Sequence, residues 1–252
     1  MRFLLKTAFL TDKGQKRPHN EDQGFCREEE DKALAVVCDG MGGHNAGDVA
    51  SLMAAETVEA AWNDPGEVDP VQHAATWLTE VIAAANHRIY EKANEVSAYR
   101  GMGTTLISAV ADQEKVVIGH VGDSRAYHYH QEGLTQVSRD QSLVNELVDQ
   151  GEISEAEAEV HPRKNVLTQA LGTETTVTPE VVEAAWAPGD LVLLCSDGLT
   201  DKVADESIHD MLTRHPLSEA ARTLIDAANE AGGDDNITVA LIQYPAVETA
   251  ER

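Results

Sequence analysis

Acidic residues follow buried-type apolar segments at several places in the sequence, and this pattern narrows the chemistry that the chain can perform. Asp39 follows the apolar run of residues 34–38 and opens a glycine-rich tip. Asp197 follows the apolar run of residues 191–195, with only Ser196 between them, and each of these two aspartates precedes a glycine. Two buried strands that each deliver a carboxylate to the surface suggest that the two side chains meet.

Further carboxylates stand at comparable places, in the pair Glu21-Asp22, at Asp123 and in the pair Asp234-Asp235. Any one Asp-Gly step taken alone is better explained by a simple turn, but several such sites at the ends of apolar runs are not. Massed carboxylates in a low-dielectric site are tolerated when a divalent cation neutralises them. Oxygen ligands favour the hard cations Mg²⁺ and Mn²⁺ over zinc, so the repeated pattern predicts a site for such ions.

Other phosphate-handling motifs fit the sequence poorly. The spacing of Gly42 and Gly47 matches a P-loop, but Asp48 stands where that loop needs lysine. A dinucleotide fingerprint needs glycine where the chain has Asn45. No cysteine is followed by arginine six residues later, as a cysteine phosphatase requires, and the serine motif GxSxG is absent.

The elements that must position these carboxylates can be read from hydrophobic periodicity and turn residues. Predicted strands cover residues 2–10, 34–38, 103–111, 115–122, 125–130, 134–138, 177–186, 191–195 and 236–244. Predicted helices cover 47–62, a long segment that opens at Asp69-Pro70, 141–159, 205–214 and 218–231. This order is not a regular βαβ alternation, so it predicts an α+β layered sandwich with antiparallel sheets. We expect one domain over residues 1–252, with a mobile flap at about 140–165.

Composition restricts partners and compartment. The formal net charge of −25 repels nucleic acids and anionic membranes and suits metal cations or basic partners, although solubility or salt adaptation explains it as well. Three cysteines without a CxxC pair indicate reduced thiols in a cytoplasmic protein. No apolar stretch is long enough for a membrane span or a signal peptide. We expect the protein to be a monomer.

Six motifs taken in order carry a family resemblance. The segments RPHNED, VCDGMGGHNAGDVAS, GTT, VGDSRAY, SDGLTD and GGDDNITV resemble the PP2C-type (PPM) metal-dependent protein serine/threonine phosphatases in their compact bacterial form. The match extends from about residue 7 to residue 244. The resemblance implies a four-layer α-β-β-α sandwich, two antiparallel sheets flanked by helices, with a dinuclear Mn²⁺ or Mg²⁺ site in the cleft between the sheets.

The resemblance also implies how the chain would hold these two ions. Asp39 matches the carboxylate that bridges both metals, and Asp197 and Asp235 match the further ligands of the first metal. The carbonyl oxygen of Gly40 matches a ligand of the second metal.

Other positions in the motifs would support the same site. Glu21 or Asp22 would help to hold the second metal, directly or through water, and Asp123 matches the ligand of a third, weaker ion. Arg17 matches the arginine that grips the substrate phosphate, and Asn236 is expected to orient the preceding aspartate.

Several positions are ambiguous or depart from the family pattern. Met41 stands where animal members carry a histidine proposed as proton donor, so His44 is the nearest candidate, with a loop residue of no role as the alternative. Gln141 stands where bacterial relatives commonly carry histidine, so substrate contacts can differ there. Asp201 is expected to be structural or to support the metal ligands, and Arg125 to pair with buried carboxylates.

The resulting functional hypothesis is an enzyme that hydrolyses phosphoserine and phosphothreonine on proteins. A hydroxide that bridges two divalent cations would attack phosphorus, and the enzyme would oppose a bacterial serine/threonine kinase. The alternative from another class is a non-catalytic, metal-binding regulator that docks phosphorylated proteins. A receiver-like signalling module is disfavoured because it would be about half this length and built on a parallel sheet.

Overall fold

The computed structural model describes residues 4–42 and 46–246. Its strands are β1 (Lys6–Asp12), β2 (Gln23–Glu29), β3 (Lys32–Cys38), β4 (Gly40–Met41), β5 (Gly103–Thr104), β6 (Leu106–Ala111), β7 (Lys115–Val121), β8 (Arg125–His130), β9 (Gly133–Gln136), β10 (Glu180–Ala185), β11 (Leu191–Cys195) and β12 (Ile237–Gln243). Its α-helices are α1 (Gly47–Asn63), α2 (Ala74–Glu95), α3 (Leu143–Asp149), α4 (Glu155–Glu159), α5 (Asp197–Thr200), α6 (Asp205–Arg214) and α7 (Leu217–Glu230).

The strands form two five-stranded antiparallel sheets that face each other. The first sheet has the order β1-β12-β11-β8-β9, and the second has the order β10-β7-β6-β3-β2. Strands β4 and β5 form a small separate pair. Small side chains such as Ala33, Ala35 and Ala240 fill much of the space between the two large sheets.

Helices cover the outer face of each sheet. Helices α1 and α2 pack on the second sheet, and α5, α6 and α7 pack on the first. The strands are therefore buried on both faces, which explains why β3 and β11 read as continuous apolar runs. In β3, Leu34 and Val36 face the helices whereas Ala35 and Val37 face the other sheet. The predicted α+β sandwich of four α-β-β-α layers is confirmed.

Some element boundaries differ from the sequence prediction. Strand β2 was not predicted, because its edge position carries charged residues such as Arg27 and Glu28 instead of an apolar alternation. Helix α2 begins at Ala74, because Asp69 accepts hydrogen bonds from the backbone of Val71 at 2.8 Å and closes a turn before the helix. The helical stretch expected at 141–159 is divided into the short helices α3 and α4.

The antiparallel register brings the predicted carboxylates to one end of the sandwich. In the first sheet, Asp12 pairs with Ile237 and Arg125 pairs with Cys195, so the segments that carry Asp235, Asp197 and Asp123 share one end. In the second sheet Gln23 pairs with Cys38, so Asp22 and Asp39 lie beside each other at that end too.

Two composition-based expectations concern the cysteines and the membrane. Cys26, Cys38 and Cys195 are free thiols, and the last two are fully buried in the sandwich. Within the described ranges, no helix has the length and apolar character needed to cross a membrane.

Helix α5 approaches the residue before β12 so closely that only glycine fits at position 198. A methyl group on Gly198 would overlap the backbone carbonyl oxygen of Asn236. We expect Gly198→Ala to lower the free energy of unfolding by about 1–3 kcal/mol, the usual cost of overpacking a close contact, as measured by urea denaturation.

The matched control is Gly133→Ala in β9, where no described atom lies within 4 Å of the added methyl group. This control should change stability by less than about 0.5 kcal/mol or be slightly stabilising. Equal stability of the two variants would show that the close approach at Gly198 does not constrain the fold.

Candidate metal centre and phosphate site

Five aspartate carboxyl groups interact with one another at the shared end of the two sheets. Asp39 is at their centre, since its carboxyl group is influenced by the charges of all four others. Burial, followed by repulsion from Asp22, Asp197, Asp123 and Asp235, raises the pKa of Asp39 well above its usual range.

The backbone of Asp39 is fixed by the two threonines of the GTT segment. The amide of Asp39 donates to Thr105 Oγ1 at 2.9 Å, and its carbonyl oxygen accepts from Thr104 Oγ1 and from the Thr105 amide, each at 2.9 Å. The Thr105 hydroxyl also contacts Ser124 Oγ at 2.8 Å, next to Asp123. This network ties the residue after β3 to the end of β5, and it holds the backbone of the central aspartate in place.

Asp22 connects the two sheets inside the cleft. One oxygen, Oδ2, accepts hydrogen bonds from Ser196 Oγ at 2.8 Å and Thr238 Oγ1 at 2.7 Å. Its other oxygen, Oδ1, is buried and has no hydrogen-bond partner among the described residues. Burial is the largest cause that raises the pKa of Asp22, to about 7, and the charges of Asp197 and Asp235 add to it.

Asp197 and Asp123 are perturbed in the same direction. Burial and the neighbouring charge of Asp235 raise the pKa of Asp197 to about 6. Burial and repulsion from Asp197 raise the pKa of Asp123 to about 7. The buried Oδ1 of Asp197 also finds no hydrogen-bond partner in the described part of the chain. Buried carboxylate oxygens without hydrogen-bond partners are expected where a cation binds.

Arg17 lies at the mouth of the cleft and forms an ion pair with Asp235. Its Nη2 is 2.6 Å from Asp235 Oδ2, and the arginine side chain is half exposed. The other oxygen of Asp235 accepts the Asn236 backbone amide at 2.8 Å. The guanidinium can therefore reach the aspartate cluster while one side of it faces solvent.

Asn236 contacts Asp235 through its backbone and other residues through its side chain. The backbone amide donates at 2.8 Å to Oδ1 of Asp235, the carboxylate that the side chain is predicted to orient. Its side-chain amide donates to the carbonyl oxygens of Lys13 at 2.8 Å and His19 at 2.9 Å, and its Oδ1 accepts the Glu21 amide at 2.8 Å. Asn236 thus holds the segment that carries Arg17 and Glu21 against β12.

Gly40 and Glu21 meet at the start of α1. A methyl group on Gly47 would lie 2.7 Å from Glu21 Oε2 and 2.9 Å from the Gly40 carbonyl oxygen, so glycine is needed for this approach. The Glu21 carbonyl oxygen accepts from Ser51 Oγ at 2.5 Å. Burial and the nearby charge of Asp48 raise the pKa of the Glu21 carboxyl group.

The donors gathered here fit hard divalent cations. They are all oxygen atoms, and their mutual repulsion would be relieved by positive charge. However, Asp39, Asp197 and Asp235 do not place three ligand atoms within 4.8 Å of one another; among the described residues only a histidine-containing set elsewhere does so. The carboxylates thus surround a space wider than a single tight three-ligand site, and their assignment as ligands is a prediction.

Of the remaining predicted positions, all but His44 are among the described residues. His44 lies outside the described residues, and Met41 pairs with Gly103 in the small β4-β5 sheet. The side chain of Gln141 is buried, and its Oε1 accepts the Gly122 amide at 3.0 Å, so it supports the backbone before Asp123.

Arg125 and Asp201 both join the cleft to the segment at 140–165. Arg125 donates to both oxygens of Asp140, with its Nη2 2.7 Å from Asp140 Oδ2, which confirms its predicted pairing with a carboxylate. Asp201 accepts from Lys164 Nζ at 3.1 Å. These two ion pairs hold the segment at both of its ends.

Sequence reasoning assigned no role to the hydroxyl groups that hold the acids. Thr104 and Thr105 fix Asp39, whereas Ser196 and Thr238 hold Asp22. A signal was available, since each of these residues lies in or beside one of the recognised motifs, GTT, SDGLTD and GGDDNITV. The pattern did not reveal which acid each hydroxyl would contact, because the partners are distant in sequence.

The raised pKa values predict how the metal-free protein responds to pH. Asp22, Asp123 and Asp197 bind protons more tightly when folded, with pKa values of about 7, 7 and 6 against an ordinary value of 3.8. The folded state therefore holds more protons than the unfolded state between about pH 4 and pH 7, so stability falls as pH rises through this window. We expect a loss of more than about 1.4 kcal/mol, equivalent to one pKa unit, in urea denaturation of chelator-treated protein.

The Asp22→Asn variant is the control, because it keeps the side-chain shape and removes one titrating group. Its stability should depend less steeply on pH than that of the parent chain. Addition of Mn²⁺ should restore the parent's stability near neutral pH, since bound cations neutralise the cluster. Stability that rises with pH across the same window in the metal-free parent would contradict the electrostatic account.

Comparison with known proteins agrees with this geometry. Residues 13–241 match the family described as Protein phosphatase 2C. The chain is 44% identical over 241 residues to the serine/threonine phosphatase stp of Listeria innocua. This alignment covers 95% of this chain and 96% of that protein. The structure of the serine/threonine phosphatase Stp1 from Staphylococcus aureus is similar, with a TM-score of 0.89, 36% identity and coverage of 95% of both chains.

A second solved structure bears on the metal centre. The catalytic domain of the serine/threonine protein phosphatase PstP, in complex with two manganese ions, matches with a TM-score of 0.84 and 33% identity, covering 96% of this chain and 98% of that one. The family match and the identity to whole-length relatives show that this chain belongs to the protein phosphatase 2C family and is a serine/threonine phosphatase.

Proposed function

We propose that this enzyme hydrolyses phosphoserine and phosphothreonine on protein substrates with two divalent cations bound among the cleft carboxylates. The observation that carries this proposal is the cluster of buried aspartates around Asp39, in which one oxygen of Asp22 and one of Asp197 lack hydrogen-bond partners among the described residues. The half-exposed Arg17 lies beside this cluster. A cluster of this charge is favourable only with cations present.

We assign one group of residues to the two ions and Arg17 to the substrate. Asp39 would bridge the ions, Asp197 and Asp235 would complete the first position, and the Gly40 carbonyl with Glu21 or Asp22 would serve the second. The chemistry that such ions would supply when bound is a hydroxide nucleophile near neutral pH.

Arg17 would bind the phosphoryl group of the substrate. In the structure its guanidinium is paired with Asp235 at 2.6 Å, and its half-exposed position leaves it able to turn toward solvent. A bidentate guanidinium contact suits phosphate oxygens, and it would stabilise the charge that develops on them. The proton for the leaving alkoxide would come from His44 or from water.

The cofactor is Mn²⁺ or Mg²⁺, since both accept an all-oxygen donor set. Two ions are proposed for the main site. Asp123 would hold a third, weaker ion, and its raised pKa and its interaction with Asp197 support its place at the edge of the cluster. The two manganese ions of the PstP structure support the dinuclear arrangement.

The biological setting is part of the proposal. We place residues 1–252 in one catalytic domain that acts as a monomer. We place the enzyme in the bacterial cytoplasm, where thiols stay reduced, and the three free thiols support this location. Its substrates would be phosphorylated proteins, and its activity would oppose a serine/threonine kinase. The segment at 140–165 would act as a flap over the cleft.

The competing function is a non-catalytic, metal-binding regulator that docks phosphorylated proteins. Tight binding of a phosphothreonine peptide without turnover, in the presence of Mn²⁺, would favour it. Absence of one or more of the metal-ligand aspartates would favour this alternative, but the sequence retains all of those that the resemblance assigns to metals, which favours catalysis.

Replacement of the central carboxylate is the sharpest test of the proposed catalysis. We expect Asp39→Asn to lower Mn²⁺-dependent hydrolysis of p-nitrophenyl phosphate and of a phosphothreonine peptide by at least about a hundredfold. The reason is that a catalytic cation supplies several kcal/mol and each 1.36 kcal/mol is a factor of ten in rate.

The matched control is Asp234→Asn, which also removes one aspartate charge but affects an exposed ion pair with Lys202. Its activity should remain close to that of the parent chain. Asp39→Asn that retains the parent's activity, or a parent chain that remains active in excess chelator, would refute the proposal.

Arg17→Ala tests the proposed contact with the substrate phosphate. A hydrogen bond to a charged group is worth about 1.5–3 kcal/mol, so kcat/KM for a phosphothreonine peptide should fall by about 10–150-fold. Lys16→Ala removes a neighbouring positive charge and should have a much smaller effect. If the two variants lose equal activity, Arg17 contributes only to the general electrostatic field.

A further inference from the structure

Three side chains with metal-binding groups meet at the end of the sandwich opposite the cleft. His128 and His130 lie on β8, and Asp190 lies directly before β11. The Nε2 of His128 is 3.0 Å from Asp190 Oδ2, and the Nδ1 of His130 is 3.4 Å from the same oxygen. The imidazole ring centroids are 3.9 Å apart.

The topology separates this set from the aspartate cluster. Strand β8 runs antiparallel to β11, with Arg125 opposite Cys195 at the cleft end and Tyr129 opposite Leu191 at the far end. Five residues along a strand correspond to about 17 Å. A ligand held by His128 and His130 therefore does not share the carboxylates of the cleft.

Strand geometry explains why both histidines point the same way. Residues two apart in a strand lie on one face, so His128 and His130 share the face of Ala126, which packs between the two sheets. His128 is buried at the end of this core, whereas His130 is partly exposed beyond it. The pair thus has one anchored imidazole and one at the solvent boundary.

Asp190 is held in position by its own turn. Its carboxylate accepts the Ala187 amide at 3.0 Å, and its amide donates to the Ala187 carbonyl oxygen at 3.0 Å. Its carbonyl oxygen accepts the Tyr244 amide at 2.9 Å, and the Gly189 amide donates to the Tyr244 carbonyl oxygen at 2.7 Å. The carboxylate is therefore presented to the histidines by a fixed backbone.

The distances fit a tetrahedral ion. One ligand atom from each of His128, His130 and Asp190 can be chosen so that all three lie within 4.8 Å of one another. Two ligands about 2.0–2.1 Å from a tetrahedral ion are about 3.3 Å apart, close to the 3.0 and 3.4 Å observed here. Burial and the adjacent His130 lower the pKa of His128, which favours the neutral imidazole that binds metals.

We propose that His128, His130 and Asp190 form a second metal site, selective for a borderline divalent cation of the zinc class. Two imidazoles and one carboxylate are a ligand set that zinc accepts, with water in the fourth position. Mn²⁺ and Mg²⁺ prefer the oxygen-only cleft, so the two ends of the sandwich would select different ions. At this position a bound ion would join β8 to the turn before β11.

The test is a calorimetric titration of the full chain with Zn²⁺ in the presence of excess Mn²⁺, for the parent and two variants. His130→Ala removes a partly exposed ligand and should leave the fold intact, which its Mn²⁺-dependent phosphatase activity would verify. His87→Ala is the matched control. His87 also contacts a carboxylate, since its Nε2 is 3.3 Å from Glu91 Oε1 on the exposed face of α2.

We expect the parent and His87→Ala each to bind one zinc ion. His130→Ala should bind zinc at least about a hundredfold more weakly, because loss of a residue that only supports a metal ligand already lowers affinity by up to about a hundredfold. Zinc should also raise the Tm of the first two proteins but not of His130→Ala. Zinc that enters the cleft instead would bind equally to all three proteins. Equal binding in His130→Ala, or no zinc uptake by the parent, would overturn the proposal whatever the phosphatase assays show.

Discussion

Repulsion among buried carboxyl groups is the constraint around which this structure is organised. Five aspartates meet where the two sheets end, and burial with mutual charge raises the pKa of Asp39, Asp22, Asp123 and Asp197. Such a cluster opposes folding near neutral pH unless cations are bound. The covered sheets and the close glycine contacts keep these groups together despite that cost.

The fold could be predicted largely from the sequence because burial on both faces leaves a plain signal. Strands β3 and β11 are continuous apolar runs, and α6 has the bounds that its periodicity indicated. Strand β2 escaped prediction because an edge strand needs no apolar face and carries charges. The start of α2 was misplaced because a local Asp69 turn resembles a helix cap in sequence.

The candidate site was predictable in its residues but not in its contacts. Acids at the ends of apolar runs indicated which carboxylates would converge, and the register of the sheets shows them at one end. The sequence could not show that Arg17 pairs with Asp235 or that the Asn236 side chain holds the segment before β2, since these contacts join residues more than 200 positions apart. The sequence does not indicate that the histidine pair on β8 meets a carboxylate, because Asp190 lies 60 positions away from His130.

The two hydroxyl contacts of Asp22 have a mechanical consequence. Asp22 enters from the second sheet, whereas Ser196 and Thr238 belong to the first, so two short hydrogen bonds act as a clasp across the sandwich. The sheets cannot splay at this end without breaking both. The separation of the two sheets at this end is thereby restrained by the protein itself, independently of any ion.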